Sequence, residues 1–399
     1  MNILIDNYYN QETLSKDISV NKGRIYQQCS MSVMDTIEDP GITFDINGVC
    51  NYFNDYKKAE KKYVLSGDEG KKRLEEIAGH IIEAGNGKRY DCILGLSGGV
   101  DSTYLCWLAK QLGLRPLIVH FDNGWNSELA VSNIEHTISN LGFDLYTYVV
   151  DWPEFRELQL SYLRASVVDI EVLTDHAFMA VLYEQARKWN IKYVLAGMNI
   201  VTEQVLPRYW IYSKGDDVNI KDIQSKYGVT ATNKLKSYPF LDYRTKWYCD
   251  KVLKMEVVAP LNFIDYKYET IKETISTQLG WRDYGGKHYE SVWTRFYQGY
   301  ILPRKFHIDK RKAHFSNLIF SKQLTKSVAE MKLTKPIYDI ALLKQDIDFV
   351  LKKFGLNESE FEKMMRESRR EHAEFKVLKG FKDKYPILKY ISKLSRKLK

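Results

Sequence analysis

One six-residue turn constrains this chain more than any other feature. Between the apolar run Asp91–Leu96 and a helical pattern that continues to Leu112 stands Ser97-Gly98-Gly99-Val100-Asp101-Ser102. Two adjacent glycines let the backbone turn sharply without a Cβ penalty, so successive N–H groups face one concavity. The helix that begins there adds its positive end. The result is a cradle for phosphate, to which Ser97 and Ser102 add hydroxyl donors. Asp101 repels phosphate and makes sense as a holder of Mg²⁺ that bridges phosphates. The Gly-Lys-Ser/Thr ending of a Walker A loop is missing, so lysine-assisted γ-phosphoryl transfer is not expected.

The surrounding pattern predicts the sheet that carries this turn. Pro116–Phe121, Leu145–Val150 and Ile191–Ala196 read as further strands, separated by helical stretches from about Leu129 to Leu141 and up to Trp189. Strands alternating with helices at this spacing predict an α/β fold with a doubly wound parallel sheet and ligands at its carboxyl edge. Residues 209–250 break the rhythm and read as an insertion, and Val257–Leu261 resumes an apolar run. Beyond Tyr266 the chain reads as helical, with a stop at Gly280 and a new helix entered at Asn357-Glu358-Ser359-Glu360. Near the start, Gly41–Tyr52 carries an Asn47-Gly48 turn between short apolar runs, a hairpin signal, and residues 54–84 are charged and helix-prone. Three regions follow: 1–65 with the hairpin, 66–280 with the phosphate loop, and 281–399, mainly helical with a basic tail.

Composition excludes several classes of function. No apolar run approaches the roughly 18–20 residues that span a bilayer, and Met1 is followed by polar sequence, so a cytoplasmic protein without integral membrane contact is expected. Cys29, Cys50, Cys92, Cys106 and Cys249 are odd in number and scattered, which suits a reducing compartment. The net charge is +8, but residues 363–399 hold 13 Lys or Arg against 4 Asp or Glu, a local +9. The rest of the chain is therefore close to neutral, and no nucleic-acid partner is expected.

The hexapeptide resembles the signature of the PP-loop ATP pyrophosphatases, which cleave ATP to AMP and pyrophosphate while transferring AMP to a carbonyl-type oxygen. That resemblance implies ATP on Ser97, Gly98, Gly99, Val100, Asp101 and Ser102. It also implies nucleoside contacts from Asp122, in His120–Trp125, and from Gly197 and Asn199, in Gly197-Met198-Asn199. Several further segments resemble the N-acetyl sugar amidotransferases of bacterial lipopolysaccharide O-antigen synthesis. They are Asp175-His176, Thr202-Glu203 with Pro207 and Trp210, Trp281–Ser291, Thr294–Gln298 and Phe306–Arg311, and the likeness spans roughly residues 29–320.

This second resemblance implies a reaction. AMP transferred to the acetamido oxygen of a nucleotide-linked N-acetyl sugar makes that oxygen a leaving group, and ammonia then displaces AMP to leave an acetamidino group. Asp101, Asp175, His176 and Glu203 are the implied catalytic residues. Lys287, His288, Arg295, Lys305 and Arg311 are implied contacts to the anionic substrate. A separate glutaminase and a cyclase-like subunit are implied as the source of ammonia. Relatives carry two Cys-x2-Cys pairs near the amino terminus; here the four positions are Cys29, Ser32, Cys50 and Phe53, so zinc is not expected. Transfer-RNA thiolation and a catalytically inactive nucleotide-binding scaffold are the rival readings. The first needs clustered reactive thiols, whereas Cys92 and Cys106 read as core.

Overall fold

A computed structural model describes residues 24–286 and 289–378. The expectations for residues 1–23, for Lys287 and His288, and for the tail beyond 378 lie outside these. The helices are α1 (Asn51–Tyr63), α2 (Gly67–Ala84), α3 (Val100–Gln111), α4 (Glu128–Leu141), α5 (Trp152–Ala165), α6 (Val172–Trp189), α7 (Ile200–Glu203), α8 (Asp217–Tyr227), α9 (Tyr243–Lys251), α10 (Tyr268–Leu279), α11 (Val292–Phe296), α12 (Leu302–Phe306), α13 (Lys310–Phe320), α14 (Lys326–Leu333), α15 (Ile340–Phe354) and α16 (Glu358–Arg366). The strands are β1 (Cys92–Gly95), β2 (Pro116–Asp122), β3 (Leu145–Val149), β4 (Tyr193–Leu195) and β5 (Glu256–Val258).

The five strands form one sheet in the order β3-β2-β1-β4-β5, and every neighbouring pair is parallel. Successive side chains leave opposite faces, and both faces are covered over the central strands β2, β1 and β4. Ile93, Leu117, Val119, Phe121 and Val194 join one core, while Cys92, Leu94, Ile118, Tyr193 and Leu195 join the other. Near-continuous apolar strands are what a doubly covered parallel sheet requires. The chain leaves β1 toward β2 on one side and returns to β4 on the other, which opens a crevice at the carboxyl ends of β1 and β4.

Helix ends follow the local sequence. Ser127 caps α4 by accepting from Ala130 N, and Asn357 with Glu360 forms a capping box at α16. Gly142, Gly280 and Gly355 close α4, α10 and α15 in the left-handed conformation that favours glycine.

The long helical stretch before Trp189 is interrupted between α5 and α6, where Ser166 takes a positive φ of 60°. Residues 209–250 contain α8 and all but the last residue of α9 and lie against α5 and α6. Glu154 of α5 accepts from Lys236 N, Ser237 N and Tyr238 N at 2.8, 2.8 and 3.0 Å.

At the amino-terminal end, Phe44 pairs with Cys50 in an antiparallel bridge around the Asn47-Gly48 turn, with Gly48 at φ +73°. Cys29, Ser32 and Cys50 meet there: Cys50 N donates to Cys29 Sγ (3.2 Å), and Ser32 Oγ lies 3.9 Å from Cys50 Sγ. Phe53 packs edge-on against Phe320 of α13 at 5.2 Å, and Lys312 of the same helix pairs with Asp35 and Glu38 at 2.7 and 2.6 Å.

Candidate active site

The Ser97–Ser102 turn joins β1 to α3 at the carboxyl edge, beside the crevice. Gly98 has φ +82°, and a Cβ there would meet the Ala130 carbonyl oxygen at 2.9 Å, so only glycine fits. Ser97 and Ser102 hydroxyls lie 3.2 Å apart, Gly99 N donates to Ser97 Oγ (3.2 Å), and Ser102 Oγ donates to Gly99 O (3.2 Å). The loop thus presents both hydroxyls together above the start of α3.

Three neighbouring segments close on this turn. His120 at the end of β2 bonds Leu96 O through Nδ1 (2.8 Å) and Asn126 Nδ2 through Nε2 (3.0 Å). Burial lowers its pKa, so the ring is neutral near pH 7. Asp122 accepts from Gly124 N (2.8 Å), and the Lys353 ammonium sits over Trp125 and Trp152 at 4.6 and 4.5 Å while donating to Gly124 O. After β4, Asn199 caps α7 through Thr202 N (2.8 Å) and points Nδ2 at Asp101 Oδ1 (3.4 Å). Gly197 lies against the loop, since a Cβ there would be 3.5 Å from Ser102 N. Tyr266 donates its hydroxyl to the same Asp101 oxygen; burial, then the Asp101 and Glu203 carboxylates, push that phenol far up.

The third segment is Trp281–Ser291. Trp281 Nε1 donates to Gly98 O (2.9 Å). A Cβ on Gly99 would be 3.3 Å from Glu290 Oε1 and 3.5 Å from the Tyr284 hydroxyl. Ser291 bridges to Asn126, and Ser127 N donates to Glu290 O (2.8 Å). The block that carries the amidotransferase resemblance is therefore the cover of the phosphate loop.

Five of the remaining site expectations have partners within the fold. His176 is buried with both ring nitrogens spent on backbone, Nδ1 on Lys214 O (2.8 Å) and Nε2 on Leu241 N (3.1 Å). Burial lowers its pKa, so it is a neutral strut for the 209–250 segment. Asp175 pairs with Lys214 (3.1 Å). Arg295 forms a two-pronged pair with Asp346 at 2.7 and 2.8 Å, Arg311 clasps Asp309, and Lys305 donates to Met364 O. Burial brings Lys305 down to about 8. These three cations hold the carboxy-terminal helices together and do not line the loop.

Residues 290–389 match the family described as LPS biosynthesis protein WbpG-like, C-terminal domain. An uncharacterized protein of Methanocaldococcus jannaschii is 32% identical over 97 residues, 24% of this chain and 34% of that protein. The chain thus spans about a third of that relative's length. Among solved structures, the NMN synthetase from Francisella tularensis aligns with 58% of this chain and 93% of its own at 14% identity and a TM-score of 0.30. The NH3-dependent NAD synthetase from Campylobacter jejuni aligns with 52% and 94% at 13% identity and a TM-score of 0.28.

Reading the sequence alone misses several residues at this edge: Tyr266 on Asp101, Lys353 over the β2 turn, and a charged group around Glu171. Glu171 Oε2 accepts from Thr294 Oγ1 (3.0 Å), and its buried Oε1 has no hydrogen-bond partner. Lys214 joins Asp169 (2.7 Å) and Asp175, and the Lys310 ammonium feels the charges of Asp169, Glu171 and Asp175. The one signal in the sequence was the Phe306–Arg311 block, in which Lys310 stands beside the expected Arg311.

A metal suits one place at this edge. Asp101 offers carboxylate oxygen, the donor a hard cation takes, while no described cluster of three or more His, Cys, Asp or Glu could hold one alone. The residues thus fit Mg²⁺ shared with a polyphosphate and not an all-protein metal cage.

Proposed function

We propose that this chain is the ATP-dependent synthetase subunit of an amidotransferase that converts the acetamido group of a nucleotide-linked N-acetyl sugar to an acetamidino group. The observation that carries the reading is the contact between Trp281 and Gly98: the segment resembling sugar amidotransferases seals the ATP-type loop. The lipopolysaccharide-related family match, which begins at residue 290 within that segment, supports a sugar substrate.

The loop's N–H groups and the Ser97 and Ser102 hydroxyls would bind the phosphates of ATP, with the start of α3 adding its dipole. Asp101, oriented by Tyr266 and Asn199, would hold Mg²⁺, which neutralises charge on the phosphates. Asp122 and Asn199 would flank the nucleoside, and Glu203 stands near Tyr266. An acetamido oxygen brought to the α-phosphate takes AMP, pyrophosphate leaves, and ammonia from a separate glutaminase and cyclase-like subunit then displaces AMP. Holding the partners in line is the main contribution asked of the protein.

Pyrophosphate release from ATP, Mg²⁺ and ammonium with a panel of nucleotide-linked N-acetyl sugars tests this. Sugar-dependent pyrophosphate and AMP, with a product lighter by the difference between O and NH, is the expected result. Phosphate release, or pyrophosphate release only with transfer RNA, overturns it. Glutamine without a partner subunit should give no turnover.

A further inference from the structure

Glu171 immediately precedes α6, whose amino-terminal end lies on the same sheet edge as the phosphate loop. Two routes tie it to the nucleotide site. Three residues on, Thr174 accepts from Asn123 Nδ2 (3.2 Å), and Asn123 directly follows β2. On the other side, Thr294 donates to Glu171, and Thr294 stands four residues after Glu290, whose carboxylate lies at Gly99. Glu171 is therefore tied to both flanks of the phosphate loop, through Asn123 after β2 and through the segment that carries Glu290.

The carboxylate is poised there and not consumed. Its Oε1 is buried without a hydrogen-bond partner, an arrangement that costs free energy and leaves the oxygen able to accept a proton. The charged groups facing it are Asp175 on the same helix, Lys214 from the 209–250 segment and Lys310 from α13, with Asp169 and the Tyr297 phenol next to them.

We infer that Glu171 is the base that deprotonates the attacking ammonia. The inference rests on the reaction proposed above. Ammonia forms a C–N bond to the carbon of the protonated adenylyl imidate, and the new nitrogen gives one proton to Glu171 Oε1. The C–O bond then breaks, AMP leaves with its electron pair, and an amidinium remains near the carboxylates of Asp169 and Asp175 and the protonated Glu171. The proton on Glu171 returns to water before the next turnover. Burial first, and then Asp175, raise this carboxyl to about 7, where a base works near neutral pH. No second ammonia-activating group is needed.

The test separates the two half-reactions, using whichever panel sugar supports pyrophosphate release by the unaltered chain. In Glu171→Gln, sugar-dependent ATP–pyrophosphate exchange should fall no more than about threefold, while amidine formation from ammonium falls about 10²- to 10⁴-fold. At constant free ammonia, amidine formation by the unaltered chain should rise through an inflection near 7 and level off. Thr294→Val keeps the carboxylate but removes its donor, so that inflection should move upward; Glu171→Asp should restore part of the rate. Amidine formation undiminished in Glu171→Gln, or an inflection unmoved in Thr294→Val, overturns the assignment while leaving the proposed reaction intact. No exchange in the unaltered chain with any sugar overturns the reaction and the assignment with it.

Discussion

The indole nitrogen of Trp281 donates to the carbonyl oxygen of Gly98 across 2.9 Å, joining residues 183 positions apart. Gly98 needs its left-handed conformation to turn the phosphate loop, and in that conformation its carbonyl points away from the cradle into the cover. Trp281 is buried, so water does not replace the bond. Trp281→Phe keeps most of the packing and orphans a buried acceptor, which costs about 1–3 kcal/mol. Urea unfolding should register that loss, and the KM for ATP should rise with it.

Arg295 and Asp346 form a two-pronged pair with side-chain exposures of 11% and 6%, and Tyr338 also donates to Asp346. Removing one partner strands the other charge. Arg295→Met should lower unfolding stability by about 3–5 kcal/mol, and adding Asp346→Leu should recover about half or more. Chemical denaturation of both variants checks this. A loss of sugar affinity in Arg295→Met without a loss of stability would instead return Arg295 to the substrate.

His372 is buried, bonds Asn219 Oδ1 through Nδ1 (2.8 Å) and stacks on Tyr212 at 4.1 Å. Burial, and then Lys214, lower its pKa to about 3, against roughly 6.5 in an unfolded chain. Because the folded pKa is depressed below the unfolded one, the unfolded chain takes up the proton first as pH falls. Stability contributed by the neutral ring is therefore full above roughly 6.5 and lost progressively toward about 3. The slope from this one residue approaches about 1.4 kcal/mol per pH unit in the middle of that window. Urea midpoints from pH 7 downward should fall more steeply for the parent than for His372→Gln.

Cys29, Ser32 and Cys50 meet as a thiolate site would, but a hydroxyl and Phe53 stand in for two ligands. Two thiols retain little of a structural zinc site's affinity, so dialysed protein should hold under ~0.2 zinc per chain. The Ser32→Cys, Phe53→Cys double variant should raise this to about one. Atomic spectroscopy measures both, and stoichiometric zinc in the unaltered chain would refute the reading.

Local chemistry made much of this protein legible. Apolar runs of strand length, the Asn47-Gly48 turn, the Gly280 stop and the capping box at Asn357 are decided by neighbours in sequence, and the structure keeps them. The phosphate loop is equally local, since two glycines between a strand and a helix leave the backbone few other courses. The 209–250 segment was less so, because α8 and α9 are held by distant residues such as Glu154 and His176.

The charged side chains belong wholly to the tertiary structure. Sequence put Arg295, Lys305 and Arg311 on the substrate because they fall in the right blocks, yet each has a partner within the fold. Glu171 and Lys310 face one another electrostatically across 139 residues without forming an ion pair. A backbone hydrogen bond or a cap is satisfied within a turn or two. Whether a charge is spent depends on which distant group folding brings within about 4 Å, and no local pattern records that distance. The sequence by itself therefore determined the sheet and the loop, and only the folded chain decided which charges remain for a substrate.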